Sequence, residues 1–364
     1  MNDLLVTALT PTLNSGTGLR TYGVVAALAR RRAVEVAYVV FDAPRPAPEY
    51  GRLDHVSTRP MLPSRGPGRA LAYARALRAG VPRDLARGVS PELARAGDPA
   101  APDVRVIADG PVVAGALLAL ARRREVVYLA HNFESGFRRR GASLTSFERT
   151  VLRTFSESWM ATHADQREAT ALAGEHVPTR YVPNVVDVSG IEPIAPRGCA
   201  RVLFVGDFTY EPNREGLRFL AEQVLPRAWE RRPELRLLVA GRGLSGPAAD
   251  PRIELLGFVE DLRSAYALAD VVAVPLLRGG GSPLKFVEAL AYGLPVIATP
   301  HAAGLLEHGV AGEHFIVAAD QLEFAQQLAL LVGDPVRGRR LGAGGRELAA
   351  RCYSIDALAR LLSR

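Results

Sequence analysis

Short apolar runs alternate with longer segments of helical periodicity along the whole chain, and the alternation restarts once near its middle. Strands are predicted at 4–10, 34–41, 104–109, 125–131, 158–163 and 179–184, with helices over 19–31, 111–123, around 144–157 and over 164–174. Residues 43–103, rich in Pro, Arg, Ala and Gly, read as a loose insertion with short helices near 70–79. The stretch 183–198 has neither period and carries Pro and Gly, so it reads as a linker. Strands are then predicted at 200–206, 235–241, 252–258, 270–276, 295–299 and 313–318. Alternation of this kind predicts an α/β chain with parallel sheets. Two Rossmann-like, doubly wound halves follow: 1–183, then a linker at 184–198, then 199–352. Residues 353–364 are expected to form a helix crossing back to the first half. Such halves face each other across a cleft, and ligands bind at the carboxyl ends of their strands.

Composition changes this picture little. At 364 residues, 48% apolar and 23% charged, the chain has the makeup of a globular two-domain protein. No apolar run has the ~20 residues of a membrane span. The start, MNDLLVTALTPTLNSG, has no basic region and carries Asp3, so no secretory leader is expected. Cys199 and Cys352 make no disulfide framework, which suits a cytoplasmic protein. The net charge of +7 invites a nucleic-acid reading, but the arginines are spread along the chain with acidic residues between them. Arg30–Arg32 and Arg122–Arg124 end helical patterns, where cations complement the helix dipole and face solvent. No nucleic-acid partner is expected.

The chemistry concentrates at GGGSPLKFVEALAYGLPVIATP (279–300), which holds the one lysine, Lys285, among 45 Lys and Arg. Ser282 and Pro283 are a good helix cap and first residue, and Gly293 ends the helix. Lys285, Glu288 and Tyr292 share one face at i, i+3 and i+7. A cation in the first turn opposes the helix dipole unless an anion sits there, and the preceding glycines can offer N–H groups to that anion. Glu288, one turn on, suits a pair of hydroxyls such as those of a ribose. Together they read as a site for a phosphate joined to a sugar; the plainer reading is an exposed i,i+3 ion pair.

These residues resemble the nucleotide-sugar signature of the retaining glycosyltransferases of family 4, which have the GT-B fold. VLFVGDFTYEPNREGLRFL, LRLLVAGRG, IELLGFVEDLRSAYALADVVAVPL and ALAYGLPVIAT occur in that family's order, and YVPNVVD (181–187) resembles its entry to the linker. The resemblance implies a hexose-type sugar moved from a nucleoside diphosphate to a hydroxyl acceptor, a small molecule or a glycan. Glu288 matches the second glutamate of the E-x7-E motif and would bind the ribose. Gly257, Phe258 and Val259 would lie along the base, and Gly281, Ser282 and Leu284 near the diphosphate and sugar. Gly280 stands where the first glutamate often is. After Gly206, Asp207 stands where other members have an arginine, and Asn213–Arg214 lie in the region of their lysine. The diphosphate clamp then rests on Lys285, backbone amides and Arg214. No D-x-D occurs and no His/Cys cluster has metal-ligand spacing, so neither a metal nor another cofactor is expected.

In the first half, TPTLNSGTGLRTYG (10–23) is neither G-x-G-x-x-G nor a P-loop. The resemblance assigns Gly16 and Gly18 to a loop that approaches the donor diphosphate. His131, at a predicted strand end and followed by Asn132 and Glu134, is implied to contact the sugar or its acceptor; His163 is a weaker candidate. Arg138–Arg140 read either as a hold for an anionic acceptor or membrane headgroups, or as a solvated loop. Two other functions stay open. One is a sugar-nucleotide epimerase or coupling enzyme on the same fold; the other is an inactive nucleotide-binding partner subunit, given Gly280 and Asp207.

Overall fold

The computed structural model describes residues 2–13, 15–40, 45–64, 66–97, 103–132, 141–246, 248, 250–279 and 284–363. They form two compact units: Met1–Val185 with Leu358–Arg364, and Val186–Ala357.

In the first unit the described strands are β1 (Asp3–Thr7), β2 (Val34–Val39), β3 (Val56–Met61), β4 (Arg105–Asp109), β5 (Val126–Leu129), β6 (Glu157–Met160) and β7 (Thr179–Tyr181). They make one parallel sheet in the order β3-β2-β1-β4-β5-β6-β7. Helices α1 (Gly16–Ala29), α2 (Pro67–Arg78), α3 (Arg83–Ala86), α4 (Pro91–Ala96), α5 (Gly110–Ala121), α6 (Ala142–Thr154) and α7 (His163–Ala173) connect the strands. The region expected to be a loose insertion therefore supplies an edge strand and three helices. β3 escapes the apolar pattern because VSTRPM is an edge strand whose side chains stay half-buried or exposed. A parallel sheet covered on both faces needs apolar residues at every position; an edge strand does not.

The second unit has β8 (Arg201–Val205), β9 (Arg236–Ala240), β10 (Ile253–Gly257), β11 (Val271–Val274), β12 (Val296–Ala298) and β13 (Ile316–Val317), parallel in the order β10-β9-β8-β11-β12-β13. Its helices are α8 (Glu211–Arg218), α9 (Leu225–Arg231), α10 (Leu262–Tyr266), α11 (Leu284–Ala291), α12 (Pro300–Gly304), α13 (Gln321–Gly333) and α14 (Pro335–Cys352). A last helix, α15 (Ile355–Leu362), belongs to the first unit from Leu358 onward. All six expected strands are present, each shorter than its apolar run. Strand alternation divides the core in two: Leu203, Val205, Leu238 and Ala240 pack on one face, Val202, Phe204, Leu237 and Val239 on the other.

The stretch after Val185 is pinned at its far end by Asp270, whose carboxylate accepts backbone N–H groups of Arg197, Gly198, Cys199 and Arg201 at 2.6–3.0 Å. Among the described residues, no helix is long and apolar enough to cross a membrane.

Candidate functional site

In the second sheet the order turns back between β8 and β11, and a doubly wound sheet binds its ligand at such a switch point. Gly206 directly follows β8, Gly241 directly follows β9, and Gly257 ends β10. Gly206 donates to the Ala240 carbonyl at 3.0 Å, and Gly241 to the Gly257 carbonyl at 2.7 Å. A Cβ on Gly241 would lie 1.7 Å from the Gly206 carbonyl oxygen, and its φ is +147°. Only glycine lets the chain pass there. The sequence-predicted Gly206 and Gly257 thus lie on either side of a third glycine, at one rim. Phe258 continues that rim and is 63% exposed, and Val259 packs against the core.

Across the switch point β11 leads to Gly279 and then to α11. Leu284 opens α11 and is buried. Lys285 Nζ donates to both oxygens of Glu288, at 3.0 and 2.8 Å. The side chains are 33% and 12% exposed, so the pair has the spacing of a surface i,i+3 contact but much less solvent. Tyr266 from α10 donates to the same carboxylate at 3.3 Å and stacks on Tyr292 with ring centroids 4.6 Å apart. Burial, then the Glu288 charge, raises the Tyr266 hydroxyl well above its ordinary value. The same two causes push Tyr292 up to about 12. Both phenols therefore stay protonated and serve as donors or stacking platforms. Gly280, Gly281 and Ser282 lie outside the described residues.

The loop after β8 holds itself together. Arg214 donates to the carbonyls of Phe208 and Thr209, at 2.8 and 3.1 Å, and pairs with Glu211. In this conformation Arg214 shapes the loop. Asp207 accepts from the Thr209 amide and hydroxyl at 3.0 and 2.6 Å and from Arg242 at 2.8 Å. Burial raises its pKa, but the hydrogen bonds from Thr209 and Arg242 outweigh it and leave Asp207 below its ordinary value. Two functional candidates emerge that sequence reasoning missed. Arg242 brings a half-exposed guanidinium to this loop, paired with Asp207. His301, from α12, contacts the Gly279 carbonyl through Nε2 at 2.7 Å and so fixes the entry to the glycine run. The signal for Arg242 was its place directly after Gly241, the glycine that follows β9.

In the first unit, Ser15 caps α1 by accepting from the Gly18 amide at 3.1 Å. A Cβ on Gly18 would meet the Thr12 carbonyl oxygen at 1.9 Å, whereas the space around Gly16 is open. Gly18 thus has a packing reason to be glycine, and its N–H is engaged by the cap. His131, just past β5, has Nε2 at 2.7 Å from the Asp109 carboxylate at the end of β4. Thr21 in α1 donates to the other Asp109 oxygen at 2.9 Å. Asn132 lines a small pocket with Tyr128, Phe147 and Glu148. His163 begins α7, stacks on Tyr181 at 4.3 Å and contacts Gln166, a local structural arrangement. Glu134 and Arg138 lie outside the described residues.

Two parallel-sheet α/β units with a glycine-rich rim at the second sheet's switch point define a protein of the GT-B class. Known structures agree on the fold. *Anabaena* HepE in complex with UDP and glucose superposes with a TM-score of 0.71 at 15% identity, over 100% of this chain and 98% of that one. Sucrose-phosphate synthase from *Thermosynechococcus elongatus* gives 0.73 at 17% identity, over 100% and 98%. Residues 199–334 match the family described as glycosyl transferases group 1. That segment contains Gly206, Arg214, Gly257, Lys285 and Glu288. A phosphatidyl-myo-inositol mannosyltransferase of *Mycobacterium leprae* is 33% identical over 192 residues, 48% of this chain and 50% of that protein. The GDP-mannose-dependent monoacylated alpha-(1-6)-phosphatidylinositol monomannoside mannosyltransferase of Corynebacterium glutamicum is 26% identical over 61% of this chain and 64% of that protein. The chain spans about half the length of the first of these curated relatives.

Proposed function

We propose that this protein is a retaining hexosyltransferase of family 4 that moves a sugar from a nucleoside diphosphate to a hydroxyl acceptor. The observation that carries the reading is the Lys285–Glu288 pair, half withdrawn from water and backed by Tyr266 at the switch-point end of the second sheet. There Glu288 exchanges its lysine for the ribose hydroxyls, and Lys285 turns to the diphosphate. Phe258 offers an exposed ring to the base. Charge on the departing diphosphate is met by Lys285 and by backbone amides, the fixed-dipole route that stabilises developing charge. The departing phosphate itself assists deprotonation of the acceptor hydroxyl on the same face, which retains the anomeric configuration. His131 contacts the transferred sugar or its acceptor. The mannosyltransferase relatives favour a mannose-type donor and a polyol or glycolipid acceptor.

The inactive-partner reading rested partly on Asp207. Its pairing with Arg242 brings a guanidinium to that loop, which favours the transferase reading.

Calorimetric titration with GDP and UDP tests the proposal. Binding of one of them in the micromolar range, weakened at least tenfold in Glu288→Ala, is expected. Equal affinity in wild type and variant would contradict it. Added EDTA is expected to leave turnover unchanged.

A further inference from the structure

The chain of contacts from Thr21 through Asp109 to His131 lies in the first unit and joins three elements: α1, the end of β4 and the residue pair after β5. The Asp109 side chain is 2% exposed and both its oxygens are engaged. An ionised carboxylate only accepts hydrogen bonds. The proton between Asp109 and His131 therefore belongs to Nε2, and in the neutral ring Nδ1 is left as an acceptor. Nδ1 is buried and has no hydrogen-bond partner among the described residues. A charged imidazolium would leave an N–H there unmatched, a greater cost than an unmatched lone pair.

The surroundings hold the ring in this orientation. Gly110, with φ +81°, would place a Cβ 3.3 Å from His131 Cδ2, so its bareness lets α5 begin against the imidazole. Arg20, buried in α1, donates to the carbonyls of Ala130 and Val182 at 2.9 and 2.7 Å and to Asn184 Oδ1 at 2.9 Å. It thereby fixes the residue before His131. Burial pulls the Arg20 pKa down to about 10 against the raising effect of Asp165 and Asp109, so it remains a cation at neutral pH.

We infer that Asp109 is a positioning residue, oriented by Thr21, that locks His131 in the neutral Nε2–H tautomer. That the oriented ring serves sugar transfer rests on the transferase reading; the tautomer does not. The full chain with 15N-labelled histidine provides the test, through long-range 1H–15N correlation at neutral pH. The expected wild-type spectrum shows His131 as Nε2–H with an unprotonated Nδ1, and Asp109→Ala turns this into a tautomer mixture. In the same variant kcat for sugar transfer falls about tenfold, while KM for the donor stays within about twofold. Should Asp109→Ala fail to fold, Thr21→Val must shift the His131 Nε2 resonance and lower kcat in the same sense. A wild-type His131 protonated at Nδ1, or a variant with unchanged tautomer and kcat, overturns the inference. The expected tautomer without any sugar transfer supports the positioning role and overturns only the transferase reading.

Discussion

Lys285 has three N–H donors, and two already bind Glu288. A point charge on a flexible stem can leave one carboxylate for another anion. A guanidinium would grip both oxygens in a planar fork and hold Glu288 back from a ribose. Lys285→Arg is therefore expected to weaken donor binding about tenfold, or ~1.4 kcal/mol, in the calorimetric titration. Equal affinity would show that a compact ammonium is not needed. Asp207 makes a prediction about acid. Its folded pKa lies below the ordinary value, so its contribution is complete above that value and is lost as pH falls through the folded one. Thermal melts at about pH 5 and about pH 3 should show a smaller drop for Asp207→Asn than for wild type. Spacing alone exposed Lys285 and Glu288, because an i,i+3 pair is local. Asp109, Arg242 and His301 were hidden because their partners lie on other elements, 22 or more positions away.

At the level of elements, Gly241, directly after β9, separates two strand ends that would otherwise collide. Gly241→Ala adds a Cβ against the Gly206 carbonyl and strains a positive φ, so it should cost about 3 kcal/mol in urea unfolding. Asp270→Ala removes a carboxylate from four amides and should cost about 2 kcal/mol by the same measurement. The strands of both units were legible wherever two-sided burial demanded continuous apolar runs. β3 was not, since its pairing partner β2 dictates its conformation more than its own side chains do. β13 shows the opposite error: the run EHFIVA is apolar enough to suggest six residues, but only Ile316 and Val317 pair with β12.

For the whole molecule, the second unit carries the family match and the Lys285–Glu288 pair, while the first carries His131 and its buried carboxylate. The resemblance in sequence was densest over the same second half, because the residues that shape a nucleotide site cluster at strand ends and leave ordered motifs. First-unit chemistry is carried by single residues in a covered sheet and leaves little local trace. The most direct test of the transferase account is 1H NMR of the reaction of the purified chain with an α-linked nucleoside-diphosphate hexose, GDP-mannose first, and a hydroxyl acceptor. The account predicts accumulation of an α-glycoside, absent when Glu288 is replaced by alanine. A β-glycoside, or an epimerised sugar nucleotide with no glycoside, would contradict it.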